Sequence, residues 1–366
     1  MKSKDKKIKI IYITGPLVFG GAERFNIDLV NNLDKNIFDP QIISIHNKDF
    51  VGEEFDKQGL KIKKFIKKYK IDLGLIFKLR KYLKSEKPDI IHTQLFAGDA
   101  WGRIAAILAG VPAIVLTEQN VTSNDIWLRR KVKYILSFFT HKTFAISQGV
   151  KESMIKEGIS TKKLQVIYNG IEIDKFKNTE FKLNTDAPIF FNIGRLEKQK
   201  GQIYLIQAFK ILLKKYPQAE LWIAGSGSLE KELKTESKEL SNVKFLGTRK
   251  DIADIFKQID IFVLPSLWEG MGVVLPEAML ARKPIIASNV PAVKEVVKDN
   301  KTGLLSEPKD VNKLAKKMEK YLVDKNFAKK MADSAFNFAK EKFDIKNITK
   351  QYETEYLETY EHIINK

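Results

Sequence analysis

Two glutamates, Glu269 and Glu277, flank a segment with Gly270, Gly272 and Pro276 in the stretch LWEGMGVVLPEAMLARKPIIAS. Two glycines and a proline disfavour a helix interior, so Glu269 is expected in a loop. Proline suits the first helical turn, which places Glu277 in the opening turn of the next helix. A carboxylate can accept hydrogen bonds from two adjacent hydroxyls, and glycine amides can approach phosphate oxygens closely. The pattern therefore predicts a ligand that presents vicinal hydroxyls and a diphosphate.

Two cations, Arg195 and Lys200, follow a predicted buried strand in FFNIGRLEKQKGQIYLIQAF, close to the start of the next helix. Cations beside a helix N-terminus make a suitable diphosphate site, although an exposed basic loop explains these residues equally well. No Asp-x-Asp pair occurs in the chain. The charge of a nucleotide diphosphate leaving group would therefore be neutralised by arginine, lysine and helix dipoles, and no metal site is predicted.

Glycine-rich turns follow two other predicted strands. TGPLVFGGAERF carries Gly20 and Gly21, and LWIAGSGSLEKEL carries Gly225 and Gly227. Glycine lets the backbone approach a ligand, and the following helix N-terminus offers N–H donors to an anion. The first turn is not Gly-x-Gly-x-x-Gly, and no acidic residue ends the second strand as a dinucleotide ribose would require. We expect phosphate near the first turn, whereas the Gly-x-Gly of the second is weaker evidence for a nucleotide.

Both halves of the chain alternate short apolar β-rich runs with amphipathic helical stretches. This alternation implies parallel sheets covered on both faces, and two sheets in series imply two doubly wound domains of the α/β class. The predicted strands are KIKIIYIT, QIISIH, DIIHTQ, AIVLTE, KTFAIS and LQVIYN in the first half, and APIFFNIG, AELWIAG, VKFLG, IDIFVLP and KPIIAS in the second.

The domain boundary is predicted in the polar stretch NGIEIDKFKNTEFKLNTDAP, near residues 170–188. We expect a first Rossmann-like domain over residues 1–170 and a second over residues 171–349. A C-terminal helix over residues 350–366 is expected to pack back on the first domain. Ligands of such sheets bind at the carboxyl ends of the strands, so two facing domains would form a cleft.

The composition excludes several classes of protein. The 366 residues include 44% apolar residues, no cysteine and four histidines, which excludes disulfide frameworks and thiol nucleophiles and leaves little room for a His-rich metal site. No apolar run approaches the roughly 18–20 residues of a membrane-spanning helix. The start, MKSKDKKIKIIYITGP, predicts a first buried strand rather than a signal peptide, because its apolar patch is short.

The net charge of +19 is concentrated in the first half. Residues 1–178 carry 32 Lys and Arg against 19 Asp and Glu, and residues 179–366 carry 32 against 26. Nucleic acid, an anionic membrane or phosphorylated substrates could each explain such an excess, and solvated faces of a Lys-rich protein account for part of it.

The most basic segment spans residues 61–84 and admits two interpretations. One is an apolar stripe at helical spacing among lysines, typical of a helix that contacts a membrane. The other is a strand followed by an ordinary amphipathic helix, and the two are weighted equally. The stripe would consist of Ile62, Phe65, Ile66, Tyr69 and Leu73.

Seven motifs occur in a characteristic order: GGAER, YNGIEIDKF, GRLEKQKG, LWIAGSG, FLG, DIFVLPSLWEG and EGMGVVLPEAM. In this order, over nearly the whole chain, they resemble the retaining glycosyltransferases of the GT-B fold, family 4 type. The resemblance implies that Glu277 holds the nucleotide ribose. It also implies that Glu269 and the amides of Met271 and Gly272 face the donor sugar.

By the same resemblance, Arg195 and Lys200 would hold the diphosphate, helped by the loop of Gly20 and Gly21 from the other domain. The first domain would lie on the acceptor side, and the second would bind the nucleotide sugar. The basic segment would also fit family members that act on lipid-linked acceptors, which dock on the inner membrane through their first domain.

The chain departs from the family pattern at three positions. Glycine is usual where Arg282 stands, and phenylalanine is common in place of Met271. Many members have histidine where this chain has Gln119, and a glutamine cannot serve as a general base. Gln119 could still hydrogen-bond the sugar or phosphate, and Glu118 is a nearby carboxylate that could substitute. His92, which ends a strand in DIIHTQ, is either functional or a core residue.

The expected activity is therefore retaining, metal-independent transfer of a hexose-type sugar from a nucleotide-diphosphate donor, with UDP favoured, to a hydroxyl of a lipid-linked or polysaccharide precursor. No cofactor and no nucleic-acid partner are expected. The location would be cytoplasmic, with peripheral membrane association left open. A dinucleotide-dependent oxidoreductase is the first alternative, and the missing dinucleotide motif argues against it. A basic nucleic-acid-binding protein is the second, and it gives no role to Glu269 and Glu277.

Overall fold

The computed structural model describes residues 6–16, 20–46, 60, 62–69, 71–120 and 127–364. The chain divides into two compact units. Unit 1 comprises Met1–Gly170 and Ile345–Lys366, and unit 2 comprises Ile171–Asp344. Each unit contains one parallel sheet with helices between its strands, which is the doubly wound arrangement expected of the α/β class.

The sheet of unit 1 consists of β1 (Ile8–Thr14), β2 (Phe38–His46), β3 (Ile62–Ile66), β4 (Ile90–Gln94), β5 (Ala113–Glu118), β6 (Lys142–Ala145) and β7 (Leu164–Val166). Their order is β3-β2-β1-β4-β5-β6-β7, and the paired strands are parallel. The order therefore reverses between β1 and β4. Ile11 and Ile13 of β1 are fully buried, because helices cover both faces of the sheet.

The sheet of unit 2 consists of β8 (Ile189–Ile193), β9 (Glu220–Ala224), β10 (Val243–Gly247), β11 (Ile261–Leu264), β12 (Ile285–Ser288) and β13 (Leu304–Ser306). Their order is β10-β9-β8-β11-β12-β13, and the pairs are again parallel. Here the order reverses between β8 and β11. Phe190, Leu221 and Val263 are fully buried and belong to one core cluster.

Several helices begin after a residue whose side chain caps the helix N-terminus. Asp72, Ser147 and Asp310 each accept a hydrogen bond from a backbone N–H of the first turn that follows. The helices are α1 (Gly21–Asn32), α2 (Leu73–Glu86), α3 (Phe96–Ala109), α4 (Trp127–Ser137), α5 (Gln148–Lys156), α6 (Gln202–Leu213), α7 (Glu230–Glu236), α8 (Ile252–Gln258), α9 (Val274–Leu280), α10 (Pro291–Val296), α11 (Val311–Val323), α12 (Lys325–Lys342) and α13 (Ile345–Ile364).

The last helix, α13, belongs to unit 1 although it follows unit 2 in the chain. It begins at Ile345 rather than at residue 350, because Ile345 and Ile348 are already buried in the core of unit 1. Gly170 permits this packing, since a Cβ there would lie 2.8 Å from the Cα of Ile345. Residues 365–366 of the predicted helix lie outside the described residues.

The described residues contain all eleven strands predicted from sequence, together with β3 and β13. β13 has only three residues, and β3 lies in the basic segment. Of the two interpretations of residues 61–84, the helical stripe is wrong and the strand followed by a helix is confirmed, because Ile62–Ile66 is an edge strand and the helix starts at Leu73. Lys61 and Lys70 of that segment lie outside the described residues. Among the described helices, none is both long and apolar enough to cross a membrane.

Candidate functional site

The candidate residues of unit 2 lie on three loops at the carboxyl edge of its sheet. Arg195 and Lys200 follow β8, Gly225 and Gly227 follow β9, and Glu269 follows β11. β8 lies beside both β9 and β11, and the strand order reverses between β8 and β11. Ligands of doubly wound sheets bind at such a reversal, so the fold places these loops where a ligand site is expected.

The loop between β8 and α6 is joined to the loop after β11 through backbone contacts. The N–H of Leu267 donates to the oxygen of Gln199 at 2.7 Å, and Nε2 of Gln199 donates to the oxygen of Trp268 at 3.0 Å. Gly201 has a φ of +64°, and a Cβ there would lie 2.2 Å from the oxygen of Pro265. Only glycine permits so close an approach, so Gly201 allows the two loops to pack against each other.

Lys200 and Glu269 form an ion pair across these two loops. Nζ of Lys200 lies 2.6 Å from Oε1 of Glu269, and Oγ of Ser266 donates to the same oxygen at 2.6 Å. Glu269 is only 6% exposed, and a buried carboxylate needs partners for its charge. The ammonium group of Lys200 and the hydroxyl of Ser266 provide them. The arrangement presents a carboxylate and an ammonium group side by side.

Arg195 is exposed on the same loop, in contrast to the buried carboxylate. Its Nη2 donates to Oε1 of Gln199 at 3.0 Å, and Nε2 of Gln202 donates to its backbone oxygen at 3.1 Å. A guanidinium has five N–H donors, so these contacts orient Arg195 and leave it able to bind an anion.

Gly225 and Gly227 bring the loop after β9 against the loop after β8. Gly225 has a φ of +129°, its N–H donates to the oxygen of Gly247 at 2.7 Å, and a Cβ on it would lie 2.0 Å from the oxygen of Gly194. A Cβ on Gly227 would lie 2.4 Å from the oxygen of Leu196. The packing of the two loops thus explains why glycine occupies both positions. Contact of these glycines with a nucleotide stays a prediction.

Met271, Gly272 and Glu277 lie between β11 and the end of α9. Met271 is 1% exposed, so its backbone rather than its side chain could meet a ligand. The oxygen of Gly272 accepts from the N–H of Leu275 at 2.8 Å. Glu277 is half-buried in the first turn of α9, where the proline pattern placed it. Their binding roles stay predictions.

The glycine turn of unit 1 lies at the corresponding reversal of strand order, between β1 and β4. Gly20 is the N-cap of α1 with an extended backbone, and it provides no side-chain cap. Gly21 is the first residue of the helix. The start of α1 combines helix-dipole charge with small residues, but the carboxylate of Glu23 lies beside Gly20, so anion binding at this turn stays a prediction.

Gln119 is buried in unit 1 and bonded through both ends of its amide. Its Oε1 accepts from Nδ2 of Asn169 at 2.8 Å, and its Nε2 donates to Oε1 of Gln94 at 3.1 Å. Glu118, its neighbour, has a different partner: Nζ of Lys133 lies 2.9 Å from its Oε2. Burial raises the pKa of the Glu118 carboxyl, and Lys133 opposes that rise.

His92 lies in the core and is not brought to the site. Its Nδ1 is 2.6 Å from Oη of Tyr356 and its Nε2 is 2.8 Å from Oγ1 of Thr117, so both ring nitrogens have partners. Burial lowers the pKa of His92 to about 3. The core interpretation of this residue is therefore correct. Within the described part of the chain, no three His, Cys, Asp or Glu side chains are grouped as a metal site.

Two family models match the chain, "Glycosyltransferase Family 4" over residues 19–175 and "Glycosyl transferases group 1" over residues 174–338. The UDP-Gal:alpha-D-GlcNAc-diphosphoundecaprenol alpha-1,3-galactosyltransferase of Escherichia coli is 31% identical over an alignment of 355 residues, and the match covers 89% of this chain and 90% of that protein. The chain belongs to the group 1, family 4 type glycosyltransferases. It is therefore a transferase enzyme, as the motif order predicted.

Other proteins extend this similarity. The glycosyltransferase is 28% identical to a Campylobacter jejuni protein named for alpha-1,4-N-acetyl-D-galactosaminyl transfer to a PP-undecaprenol-linked saccharide, over 94% of this chain and 97% of that one. The crystal structure of Anabaena HepE in complex with UDP and glucose matches with a TM-score of 0.85 and 24% identity, over 96% of this chain and all of that one. The fold is therefore GT-B.

Arg282, where the resemblance predicts glycine, has a backbone conformation that favours glycine. It follows α9 with a φ of +55°, a left-handed backbone that is strained for a residue with a Cβ. In this glycosyltransferase Nη1 of Arg282 lies 3.0 Å from Oδ1 of Asp333, and its guanidinium lies 3.7 Å from the ring centroid of Phe336. These two contacts offset the strain, so the departure from glycine has a local structural explanation.

Three hydrogen-bond partners of the candidate site residues were not predicted from sequence. One is Ser266, and its position three residues before Glu269 in LPSLWEG was the only signal for it. Gln94 and Asn169 are the last residues of two predicted strands, DIIHTQ and LQVIYN. A polar residue at the carboxyl end of a predicted strand is the signal that could have identified both, since these ends meet at one edge of a parallel sheet.

Proposed function

We propose that this glycosyltransferase moves a sugar from a UDP-sugar to a hydroxyl of a lipid-linked saccharide. The observation that carries the proposal is the cluster of Arg195, Lys200 and Glu269, because a UDP-sugar presents a diphosphate for the cations and hydroxyls for the carboxylate. The UDP and glucose bound by HepE support the donor. The undecaprenol-linked acceptors in the names of the Escherichia coli and Campylobacter jejuni relatives support the acceptor.

The proposed roles follow the chemistry of each side chain. Arg195 and Lys200 bind the diphosphate oxygens, because both donate charge-assisted hydrogen bonds. Glu269 accepts from donor sugar hydroxyls, next to the amides of Met271 and Gly272. Glu277 accepts from the ribose hydroxyls. Gly225 with Gly227 keeps the backbone of unit 2 close to the nucleotide, and the turn of Gly20 and Gly21 in unit 1 offers its helix N-terminus to an anion.

We propose retention of anomeric configuration without a metal ion. The bond between the sugar C1 and the phosphate oxygen breaks as the acceptor oxygen bonds to C1 on the same face. The acceptor proton passes to an oxygen of the leaving diphosphate, because Gln119 cannot accept it as a base. Arg195 and Lys200 stabilise the charge that develops on the diphosphate. Glu118 is committed to Lys133 at 2.9 Å, which disfavours it as the base.

A nucleotide panel tests the donor part of this proposal. A ligand that binds the folded protein raises the melting temperature by an amount that grows with the ratio of ligand concentration to Kd, so UDP, GDP, ADP and NAD can be compared at equal concentration. We expect UDP to stabilise the protein most, and Glu277→Ala to weaken UDP binding by roughly 1–3 kcal/mol through lost hydroxyl contacts. Stabilisation by NAD instead would support the oxidoreductase alternative, and unchanged UDP affinity in Glu277→Ala would remove that residue from the site.

The proposed location is the cytoplasmic face of an anionic membrane. Unit 1 exposes a patch defined by Tyr69, Ile71, Leu73 and Phe77, which are between 62% and 73% exposed. Exposed lysines flank it, namely Lys63, Lys64, Lys68, Lys78 and Lys81. Apolar side chains among cations favour an anionic lipid surface, where each nearby lysine contributes about 1 kcal/mol.

Vesicle binding tests this location with a matched pair of variants. Ile71 in unit 1 and Val323 in unit 2 are each 73% exposed. We expect Ile71→Asp to lower retention on phosphatidylglycerol vesicles at low salt, and Val323→Asp to leave it unchanged. Equal retention on phosphatidylcholine vesicles, or no retention of the wild-type protein, would overturn the membrane location.

A further inference from the structure

We infer that Gln94 and Gln119 together donate to one sugar hydroxyl, and that Asn169 holds Gln119 in the orientation this requires. The three side chains form the amide chain, in which Asn169 Nδ2 donates to Gln119 Oε1 and Gln119 Nε2 donates to Gln94 Oε1. The inference rests on the proposed sugar transfer. It adds two residues that the sequence did not single out.

The amide chain is buried and incomplete. Gln94 is 1% exposed, Gln119 5% and Asn169 0%, yet Nε2 of Gln94 and Oδ1 of Asn169 have no partner. Three amides in a row leave one unpaired group at each end, whichever way the amides are turned. A buried polar group without a partner is destabilising, so the amide chain suits a partner that the described residues do not supply.

The amide chain lies where unit 1 is expected to bind a ligand. Gln94 ends β4, which lies beside β1 at the reversal of strand order, and Gln119 directly follows β5. Leu95, next to Gln94, has a φ of +56° and ψ of 144°. This backbone is strained for a residue with a Cβ, and such strain is concentrated at functional sites. The strained backbone of Leu95 therefore lies directly beside the proposed binding residue Gln94.

The chemistry of the amide chain selects a neutral hydroxyl. A side-chain amide does not titrate near neutral pH, so the amide chain suits binding and not acid–base catalysis. The amide nitrogen and oxygen of Gln94 share one carbon, so its unpaired Nε2 lies beside the bond to Gln119. A hydroxyl oxygen has two lone pairs and can accept from both nitrogens. A phosphate is a poorer partner, because the chain itself contains no cation.

Deoxy sugars test the inference. We expect Gln94→Met to lower kcat/KM for the natural substrates by about 10- to 100-fold, as loss of a buried hydroxyl contact predicts. The loss should vanish with the one substrate analogue that lacks the contacted hydroxyl. Deoxy analogues of the donor sugar and of the acceptor sugar form separate arms, and the arm that removes the loss identifies which sugar is bound. Asn169→Leu should weaken the same discrimination, through Gln119.

Asn26→Leu is the matched control. Asn26 is another buried amide of unit 1 with an unpaired oxygen, 1% exposed, and it is not part of the amide chain. It should lower the melting temperature without changing the preference for the hydroxylated sugar. If Gln94→Met leaves that preference unchanged for every analogue, the inference is wrong. Wild-type transfer and UDP binding report separately on the proposed function, so the two failures are distinguishable.

Discussion

At the scale of single residues, the proposed function gives the negative charge of Glu269 the largest role in transfer. Glu269→Gln keeps the shape of the side chain and an oxygen for Lys200 and Ser266, but it removes the charge that attracts sugar hydroxyls. We expect kcat/KM to fall by about 100-fold, the magnitude found when a preorganised polar group is lost. The Kd of UDP should change little, because UDP carries no sugar. Steady-state kinetics and calorimetry measure both quantities, and unchanged kcat/KM would remove Glu269 from the site.

Arg282 provides a test of backbone strain at a single residue. Arg282→Gly and Arg282→Ala both lose the contacts with Asp333 and Phe336, but only the glycine variant relieves the left-handed backbone. We expect the glycine variant to be the more stable by about 1 kcal/mol, the usual cost of that conformation for a residue with a Cβ. Urea denaturation of the two proteins measures the difference. Equal free energies of unfolding would show that the turn is not strained.

The types of the candidate residues were visible in the sequence, but their pairing was not. The motifs named Lys200 and Glu269 separately, and only the fold brings these side chains, 69 positions apart in sequence, to 2.6 Å. For the same reason the sequence identified Gln119 by its departure from histidine and missed Gln94 and Asn169. Hydrogen bonds between distant strand ends depend on strand order, which local patterns do not encode.

At the scale of elements, His92 joins β4 to α13 and makes unit 1 sensitive to acid. Burial lowers the pKa of His92 to about 3, whereas an unfolded histidine titrates near 6.5. Between these values the unfolded chain binds more protons, so this contribution to stability is complete above pH 6.5 and is lost as the pH falls toward 3.

The variant His92→Gln isolates that contribution, because glutamine does not titrate. We expect the free energy of unfolding to fall less steeply for the variant than for the wild-type protein between pH 6.5 and 4.5. Thr359 offers a control: it is a buried hydroxyl of α13 that bonds only within its helix, to the oxygen of Glu355. Thr359→Val should retain the wild-type slope. Parallel curves for His92→Gln and the wild-type protein would contradict the assignment.

Long apolar runs made eleven strands predictable, and the exceptions have physical causes. β3 is an edge strand whose Lys63 and Lys64 are exposed, so the sequence left a strand and a helical stripe equally open there. β13 has only three residues, too few to show a period. The sequence predicts the start of α13 five residues too late. Ile345 and Ile348 follow α12 closely in sequence, and only their burial in the core of unit 1 shows that they belong to the last helix.

At the scale of the whole molecule, the order of seven motifs predicted the GT-B fold, and the match to HepE over 96% of the chain agrees with it. The fold class followed from alternating strands and helices, whereas activity followed from the family. Neither source specifies the sugar, because the family match covers proteins named for different sugars. The excess positive charge of the first half is consistent with an anionic partner for unit 1.

The most direct test is transfer itself, followed by NMR with UDP-hexoses and an undecaprenyl diphosphate-linked acceptor in the presence of EDTA. We expect one UDP-hexose to be consumed, UDP to be released, and the sugar to appear in the α configuration that it had in the donor. Glu269→Gln should abolish most of this turnover. A product of inverted configuration, or loss of activity in EDTA, would contradict the proposed chemistry. Consumption of no UDP-hexose by the folded wild-type protein would contradict the proposed donor.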